Sequence, residues 1–564
     1  MSNLIETAKL ELAGLVGSAY EAAVLSGELP RAELPPVSPE IPKDPSMGDF
    51  ATGFAMASAR ILKMPPQKIA GIISAHINTG DGFFDSAESA GAGYLNFRLS
   101  NSWYLAVLRN IEAEGDRYGY IDEGQGRRVM VEFVSANPTG SMTIGNARGG
   151  VLGDTLASVL ERAGFDVWRE FYVNDAGNQV DLFGKSVRAR YRQLVLGEDA
   201  VPMPEDAYMG DDIKALAADY LEMYGPGHAE LPEDELSAKM VDFGLERNID
   251  RMRADLSRYN IKYDRWFRES ELHASGYVED TMRLLAERGY TYEKDGALWF
   301  RATDLGCDKD EVMRKSNGFY TYYAVDIAYH RDKFEKRGFD KVIDVLGADH
   351  HGHTLRFKSA MSAIGVEPGR LEFALMQLVH LLRGGEAVRM SKRTGKAITL
   401  SDLLDEVSVD AARFFFNLQK PDTHLEFDMD LAIRSDRENP VHYVQYAHAR
   451  ICSLIRTLAS EGVAVPPADG IDAAAVSHPL ERELIKALAQ YPEEIRLAAR
   501  QLDPSRINRY LVDLAAKFHK FYDANRIKGS DEPILSARLK LADSVRSVIH
   551  RGLDLLGVSA PEKK

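Results

Sequence analysis

Residues 127–173 read RRVMVEFVSANPTGSMTIGNARGGVLGDTLASVLERAGFDVWREFYV, and this stretch decides the fold. Its opening, RRVMVEFVS (127–135), is a short apolar run rich in β-branched residues, the pattern of a strand buried on both faces of a parallel sheet. A loop bearing Gly140 and Gly145 follows, then VLGDTLASVLERAG, which keeps an apolar stripe at helical spacing. FDVWREFYV (165–173) reads as a second strand. Strand, glycine loop, helix and strand make one βαβ unit, which predicts a parallel sheet with a ligand beyond the carboxyl ends of its strands.

Further along, KVIDVLGADHHGHTLRFKSAM (341–361) begins a second such unit. The segment between the two, about 180–310, is charged and helical in period, and reads as an insertion between the halves of a nucleotide-binding fold. From about residue 435 onward nearly everything is helical. On the other side, residues 1–27 read as a helix. The prolines at 30, 35, 36, 39, 42 and 45 then mark a linker or an ordered extended loop. A helical stretch (50–77) and a short strand at Tyr94–Phe97 complete this part. The predicted architecture is an N-terminal α+β module (1–115), an α/β Rossmann domain with a parallel sheet (120–430) and a C-terminal all-α bundle (435–564).

Hydrophobic residues make up 45% of the chain and charged ones 27%, the balance of a globular protein. Cys307 and Cys452 stand far apart, which excludes a disulfide framework and a cysteine-type zinc site. There is no basic segment leading into an apolar core at the N-terminus and no apolar run of membrane-spanning length, so the cytoplasm is the expected compartment, with no membrane partner. The formal charge of −16 counts weakly against nucleic acid, because binding depends on local basic surface rather than on the average.

Two loops carry chemistry. Gly140 and Gly145 have P-loop spacing, but Asn146-Ala147 stands where Lys-Ser/Thr is required, so this is not a P-loop; nor is it the dinucleotide glycine pattern. The second loop, RMSKRTGK (389–396), combines basic, hydroxylic and glycine residues and suits closure over a polyphosphate. Two carboxylates also stand out, Glu132 within VMVEFV and Asp326 within YYAVDIAY. An acid in such company is costly unless paired, either by a neighbouring Lys or Arg or by a bound cation. The His350, His351 and His353 cluster invites a metal reading, but its place at a strand end with no cysteine nearby suits a nucleoside better.

Met390-Ser-Lys-Arg-Thr-Gly395 following a two-part nucleotide fold resembles the KMSKS signature of class I aminoacyl-tRNA synthetases, and residues 143–146 sit where their HIGH signature belongs. VEFVSANPTG, REFYVNDAGNQ, TYYAVDIAYHRDKF, VLGADHHGH, ENPVHYVQYAHARI, GLDLLGVSAPEK, GDFATGFAMASARILKMPPQKIA and GYLNFRLS resemble the bacterial arginyl-tRNA synthetases and cover almost the whole chain. The resemblance implies ligation of L-arginine to tRNA(Arg) by way of an arginyl-adenylate, with ATP and substrate-bound Mg²⁺, no protein-bound zinc, and a monomeric enzyme. It implies an amino-acid pocket of Glu132, Asn137, Tyr322, Asp326 and Gln377. For ATP it implies Gly145, Gly347, Asp349, His350 and Met390. The catalytic groups would be Thr143, Asn146, Arg389, Ser391 and Lys392. Contacts to tRNA would come from Tyr94 and Asn96 at the elbow and from Tyr443, Gln445 and Arg450 at the anticodon. A planar guanidinium is best held by carboxylates, which points to Asp326 with Tyr322.

The sequence departs from the family at one point. Both histidines of HIGH are replaced, by Thr143 and Asn146. Loss of one charge-stabilising donor costs roughly 3–4 kcal/mol in the transition state. A second reading therefore stands beside the first, a catalytically impaired paralogue that binds tRNA or arginine. A third is another class I synthetase, which two acids in the pocket disfavour.

Overall fold

The computed structural model describes residues 3–388 and 398–563. Its centre is a five-stranded, all-parallel sheet in the spatial order Leu371–Met376, Lys341–Gly347, Arg128–Glu132, Asp166–Val173, Arg265–Arg268. The strand Arg128–Glu132 comes first in sequence and lies in the middle. The chain builds outward from it in one direction, then returns to build in the other. That reversal creates a crevice beyond the carboxyl ends of the strands, where open α/β sheets bind ligands. Strand Arg265–Arg268 lies inside the stretch 180–310 read from sequence as an insertion, yet it completes this sheet. Ahead of it, helices Asn178–Leu196, Asp211–Tyr224 and Glu233–Arg258 form a separate apolar cluster around Phe183 and Tyr191.

Helix Ile144–Arg162 crosses from Arg128–Glu132 to Asp166–Val173. Its glycines are there for close packing: a Cβ on Gly153 would lie 2.2 Å from the ring of Phe133, so only glycine lets the helix sit this near the strand. The N-terminal module carries a four-stranded antiparallel sheet in which Tyr94–Leu99 is an inner strand. From Pro440 onward the long helices are Pro440–Ser460, Pro479–Gln501, Ser505–Ala524 and Ile534–Leu555. They do not form a detached unit. One apolar core runs from Ile5 and Trp103 through Val129 and Leu156 to Leu511 and Leu553.

The buried guanidinium of Arg413 is a tie across these parts. It donates to Asp154 Oδ2 at 2.5 Å, to the carbonyls of Tyr259 at 3.0 Å and Asn260 at 3.3 Å, and to Leu556 O at 2.8 Å. No helix among the described residues is long and apolar enough to cross a membrane.

Candidate active site

Three strands carry an acid in register across the sheet: Glu170 beside Glu132, and Glu132 beside Asp344. Neighbouring residues in register point to the same face, so these carboxylates form a row over an apolar sheet. Helix Tyr322–Arg331, the single π-turn Asp332–Lys336 and Arg337 directly after it lie on that face and deliver the counter-charges. Lys333, fully buried, donates to Glu132 Oε2 at 2.5 Å and to Asp344 Oδ1 at 3.1 Å. One ring nitrogen of His330 lies 2.8 Å from Asp344 Oδ2 and the other 2.8 Å from the carbonyl of Asp326. Arg337 donates both to Glu170 Oε2 at 2.6 Å and to its Oε1 at 2.9 Å, and the Tyr329 hydroxyl also reaches Oε1 at 2.6 Å. Burial alone would lower the Lys333 pKa, but the carboxylates of Asp344 and Glu132 hold it above the ordinary value. Burial likewise works against an ionised Asp344, and the charges of Lys333 and His330 overcome it and keep that carboxyl below its ordinary value.

Asp326 is of another kind. It lies on the same helix, half-buried, and no hydrogen bond or ion pair reaches its carboxylate from any described residue. Burial pushes its pKa up to about 7; His330 opposes the rise, and Glu269 and Glu132 add to it. Glu269 is a residue that sequence reasoning missed. It is 5% exposed, accepts from the Tyr172 hydroxyl at 2.7 Å, and burial raises its pKa as well. Tyr322, at the start of the same helix, is 54% exposed. Glu132 and Glu269 thus lie close enough to raise the Asp326 pKa, and of the three Asp326 lacks a partner among the described residues.

The backbone leaving Glu132 is strained. Val134 has φ 70° and Ser135 φ 40°, and a β-branched residue is rarely found there. The turn lets Ser135 Oγ donate to Glu132 Oε1 at 2.9 Å while accepting the amide of Tyr172 at 3.1 Å. Asn137 follows, exposed, with its amide on Gln179 Oε1 at 2.9 Å. Gln377 is the first residue beyond strand Leu371–Met376 and is half-buried. Gly347 ends the strand Lys341–Gly347, and Asp349 and His350 lie in the short 3₁₀ turn after it, both well exposed.

Thr143 and Asn146 turn out to be partners. Thr143 is the N-cap of helix Ile144–Arg162 in a reciprocal capping box. Asn146 Oδ1 accepts from both the amide and the hydroxyl of Thr143 at 2.9 Å. The Thr143 hydroxyl proton is therefore spent inside the turn. The Asn146 Nδ2 group carries no bond to a described residue. Thr143 also forms a β-bridge with Thr399, and Leu400 donates to Met142 O at 2.9 Å. These bonds tie the turn to the chain just beyond residues 389–397. A cleft of about 300 Å³ opens between Thr143, Gly145, Leu381, Val388 and Ile398. A larger cavity, about 480 Å³ among Tyr220, Tyr224 and Phe243, belongs to the helices ahead of Arg265–Arg268 and not to the strand ends. Arg389, Met390, Ser391 and Lys392 lie outside the described residues.

Away from this centre, Tyr94 and Asn96 lie half-buried on the inner strand of the N-terminal sheet, and Asn96 Oδ1 is buried without a partner among the described residues. In the helical bundle Tyr443 packs beside His519, and Arg450 lies 4.0 Å over the Tyr522 ring while donating to Asp523 at 3.1 Å. Gln445 does not join them, which corrects the expectation from sequence. It is 4% exposed, and its amide is used on Asp410 Oδ2 and Ser559 O, both at 2.9 Å. Among the described residues no three His, Cys, Asp or Glu side chains gather as a metal site.

Three family models match consecutive parts of the chain: an arginyl tRNA synthetase N-terminal domain over residues 12–99, a class I (R) tRNA synthetase catalytic domain over 108–433, and a DALR anticodon binding domain over 444–563. Arginine--tRNA ligases from Acetivibrio thermocellus and Caldanaerobacter subterraneus are each 50% identical to it over 563 residues, with 100% of both chains covered. The chain belongs to the arginyl-tRNA synthetases. The solved Thermus thermophilus arginyl-tRNA synthetase shares its fold, with a TM-score of 0.73, 22% identity, and 99% of this chain and 100% of that chain covered. As in that class, the catalytic domain is a parallel-sheet nucleotide fold flanked by an N-terminal module and a C-terminal helical domain. The chain is accordingly an aminoacyl-tRNA synthetase.

Proposed function

We propose that this synthetase joins L-arginine to tRNA(Arg) in two steps, with ATP delivered as its magnesium complex. An oxygen of the arginine carboxylate attacks the α-phosphorus, the bond to the β-phosphate breaks, and pyrophosphate leaves. A ribose hydroxyl of the terminal tRNA adenosine then attacks the activated carbonyl and AMP leaves. Both steps rest on alignment and on neutralising developing charge.

One observation carries the choice of substrate. Asp326, at the carboxyl ends of the strands, is a half-buried carboxylate that lacks an internal partner among the described residues. A bound guanidinium supplies that partner, with Tyr322 and Glu269 beside it. Asn137, Gln377 and the Lys333-paired Glu132 then face the ammonium and carboxylate ends of the ligand. Gly145, Gly347, Asp349, His350 and Met390 would line the nucleotide. The free amide of Asn146 would act on phosphate oxygens together with the N-terminus of helix Ile144–Arg162. Arg389, Ser391 and Lys392 would neutralise the departing pyrophosphate. Tyr94 and Asn96 would meet the tRNA elbow, and Tyr443 and Arg450 the anticodon. The whole-length match to arginine ligases favours an active enzyme over the impaired paralogue.

ATP–pyrophosphate exchange, run with each amino acid in the presence and absence of tRNA(Arg), tests the reading. Arginine alone should support exchange. Exchange with another amino acid would reassign the pocket, and none with arginine under any condition would promote the paralogue. Asn146→Ala should slow exchange by at least about tenfold, rising towards the hundredfold or more that one lost donor to a developing charge can cost.

A further inference from the structure

Arg148 lies two residues beyond Asn146 on helix Ile144–Arg162 and is completely buried. No carboxylate oxygen among the described residues is within ion-pairing distance of it. Its guanidinium is spent on backbone carbonyls. Nη1 donates to Gln377 O at 2.5 Å, and Nη2 donates to Lys420 O at 3.0 Å and Thr423 O at 2.9 Å. Nε is buried with no partner among the described residues, and burial pushes the group's pKa down to about 10, with Asp422 opposing.

The targets form one junction. The amide of Gln377 donates to Pro421 O at 2.9 Å, so Gln377 is gripped at its N–H by the 420–423 turn and at its carbonyl by Arg148. The same guanidinium closes that turn onto it. Gln377 directly follows the sheet strand Leu371–Met376, and Val379–Arg383, which walls the cleft opposite Thr143, starts two residues later. A buried cation without a counter-ion is expensive. A neutral side chain could join two loops at lower cost, but it could not present a rigid fork to three carbonyls at once.

We propose that Arg148 is a positioning residue for adenylate formation: it fixes Gln377 and the 420–423 turn relative to the nucleotide turn, so that the amino-acid carboxylate meets the α-phosphate in line. The proposal rests on the reading of the site given above. It adds a residue that touches neither substrate and acts through Gln377 and the strand that follows.

The test uses the full chain and arginine-dependent pyrophosphate exchange in the presence of tRNA(Arg). Active sites are counted by adenylate trapping, so that misfolded protein does not enter the rate. Arg148→Met should lower kcat per active site by about thirtyfold or more, within the roughly hundredfold that a 1 Å misplacement can cost. KM for ATP and arginine should stay within about threefold, because the groups that bind each substrate remain. Arg148→Lys should fall between, since an ammonium reaches one of the two segments but not both. Should Arg148→Met fail to fold, a glycine inserted between the exposed residues Asp422 and Thr423 loosens the same grip from outside the core and should lower kcat in the same way. An unchanged kcat per active site in these variants would reduce Arg148 to a structural tie and overturn the proposal. Absence of exchange in the parent protein is a different result, which removes the adenylation reading itself and the proposal with it.

Discussion

Four acids stand in apolar segments around the strand ends, and they divide into two kinds. Glu170, Glu132 and Asp344 form a row across the sheet, and each meets a cation from the helix and π-turn above it or from Arg337 directly after them. Asp326 is carried by that same covering element and meets none among the described residues. The row is neutralised within the protein and sets the shape of the floor. Asp326 is left with a charge that burial resists, and a cationic ligand relieves it. A pocket made only of paired acids would be rigid but indifferent to a guanidinium; one made only of unpaired acids would struggle to fold. The combination gives a stable floor beneath one carboxylate left for the substrate, and it rejects uncharged amino acids by leaving that carboxylate unpaired.

The largest expected effect breaks the floor. Lys333→Met leaves the largely buried Glu132 without a cation and Asp344 with His330 alone, and removal of one partner from a buried pair costs about 3–5 kcal/mol. Chemical denaturation should show a loss of that size; a loss under about 1 kcal/mol would mean that the row tolerates its own charge. Next comes the ligand-facing acid. Asp326→Asn should raise KM for arginine by about a hundredfold, roughly 2.7 kcal/mol, within the range for truncating a buried charge pair. KM for ATP should hardly move, and the denaturation midpoint should not fall, because the buried Asp326 carboxyl is itself a cost to folding near neutral pH. Equal losses of stability in both variants would erase the distinction between the two kinds of acid.

Much of this was legible in the sequence. The strand RVMVE, the glycine-rich turn and the helix after it announce a parallel nucleotide fold, and Glu132 and Asp326 stand out as acids in apolar runs. Glu170 in WREFYV and Asp344 in VIDVLG carry the same signal and were equally readable. Lys333 was not, because HRDKFEK looks like a solvated charge run and only the π-turn rotates its lysine under the sheet. Glu269 opens a short helix directly after the four-residue strand Arg265–Arg268, too little pattern to separate from an exposed helical face. The capping box was legible as Thr-x-x-Asn, but the same positions read more readily as replaced histidines. Gln445 sits at a spacing that suits a binding stripe, but its amide is taken up by Asp410 and by Ser559 of the C-terminal tail, both far away in sequence. Local pattern specifies elements; which polar group is used internally depends on segments far away in sequence.

The smallest expected effect sharpens the same comparison through pH. Burial pushes the Asp326 carboxyl up to about 7 from its ordinary value of 3.8, so without ligand this carboxyl is largely neutral at pH 6 and largely charged at pH 8. Arginine stays cationic throughout and favours the carboxylate, so it has to displace a proton at the lower pH. The sign follows: arginine affinity is full above about pH 7 and falls as pH drops through it, by about tenfold between pH 8 and pH 6 for a single group. In the unliganded protein the same carboxyl works in the opposite sense. Its folded-state pKa is raised, so its cost to folding sets in as pH rises above 3.8 and is complete above about 7. Asp344, held low by Lys333 and His330, adds nothing in this window. Equilibrium binding of arginine across pH 6–8, in the parent protein and in Asp326→Asn, separates the two kinds of acid. The parent should lose about tenfold in affinity on acidification, and the variant should bind weakly with no such slope. A slope that survives in Asp326→Asn would move the proton to another group nearby, Glu269 first among them, since burial raises its carboxyl too.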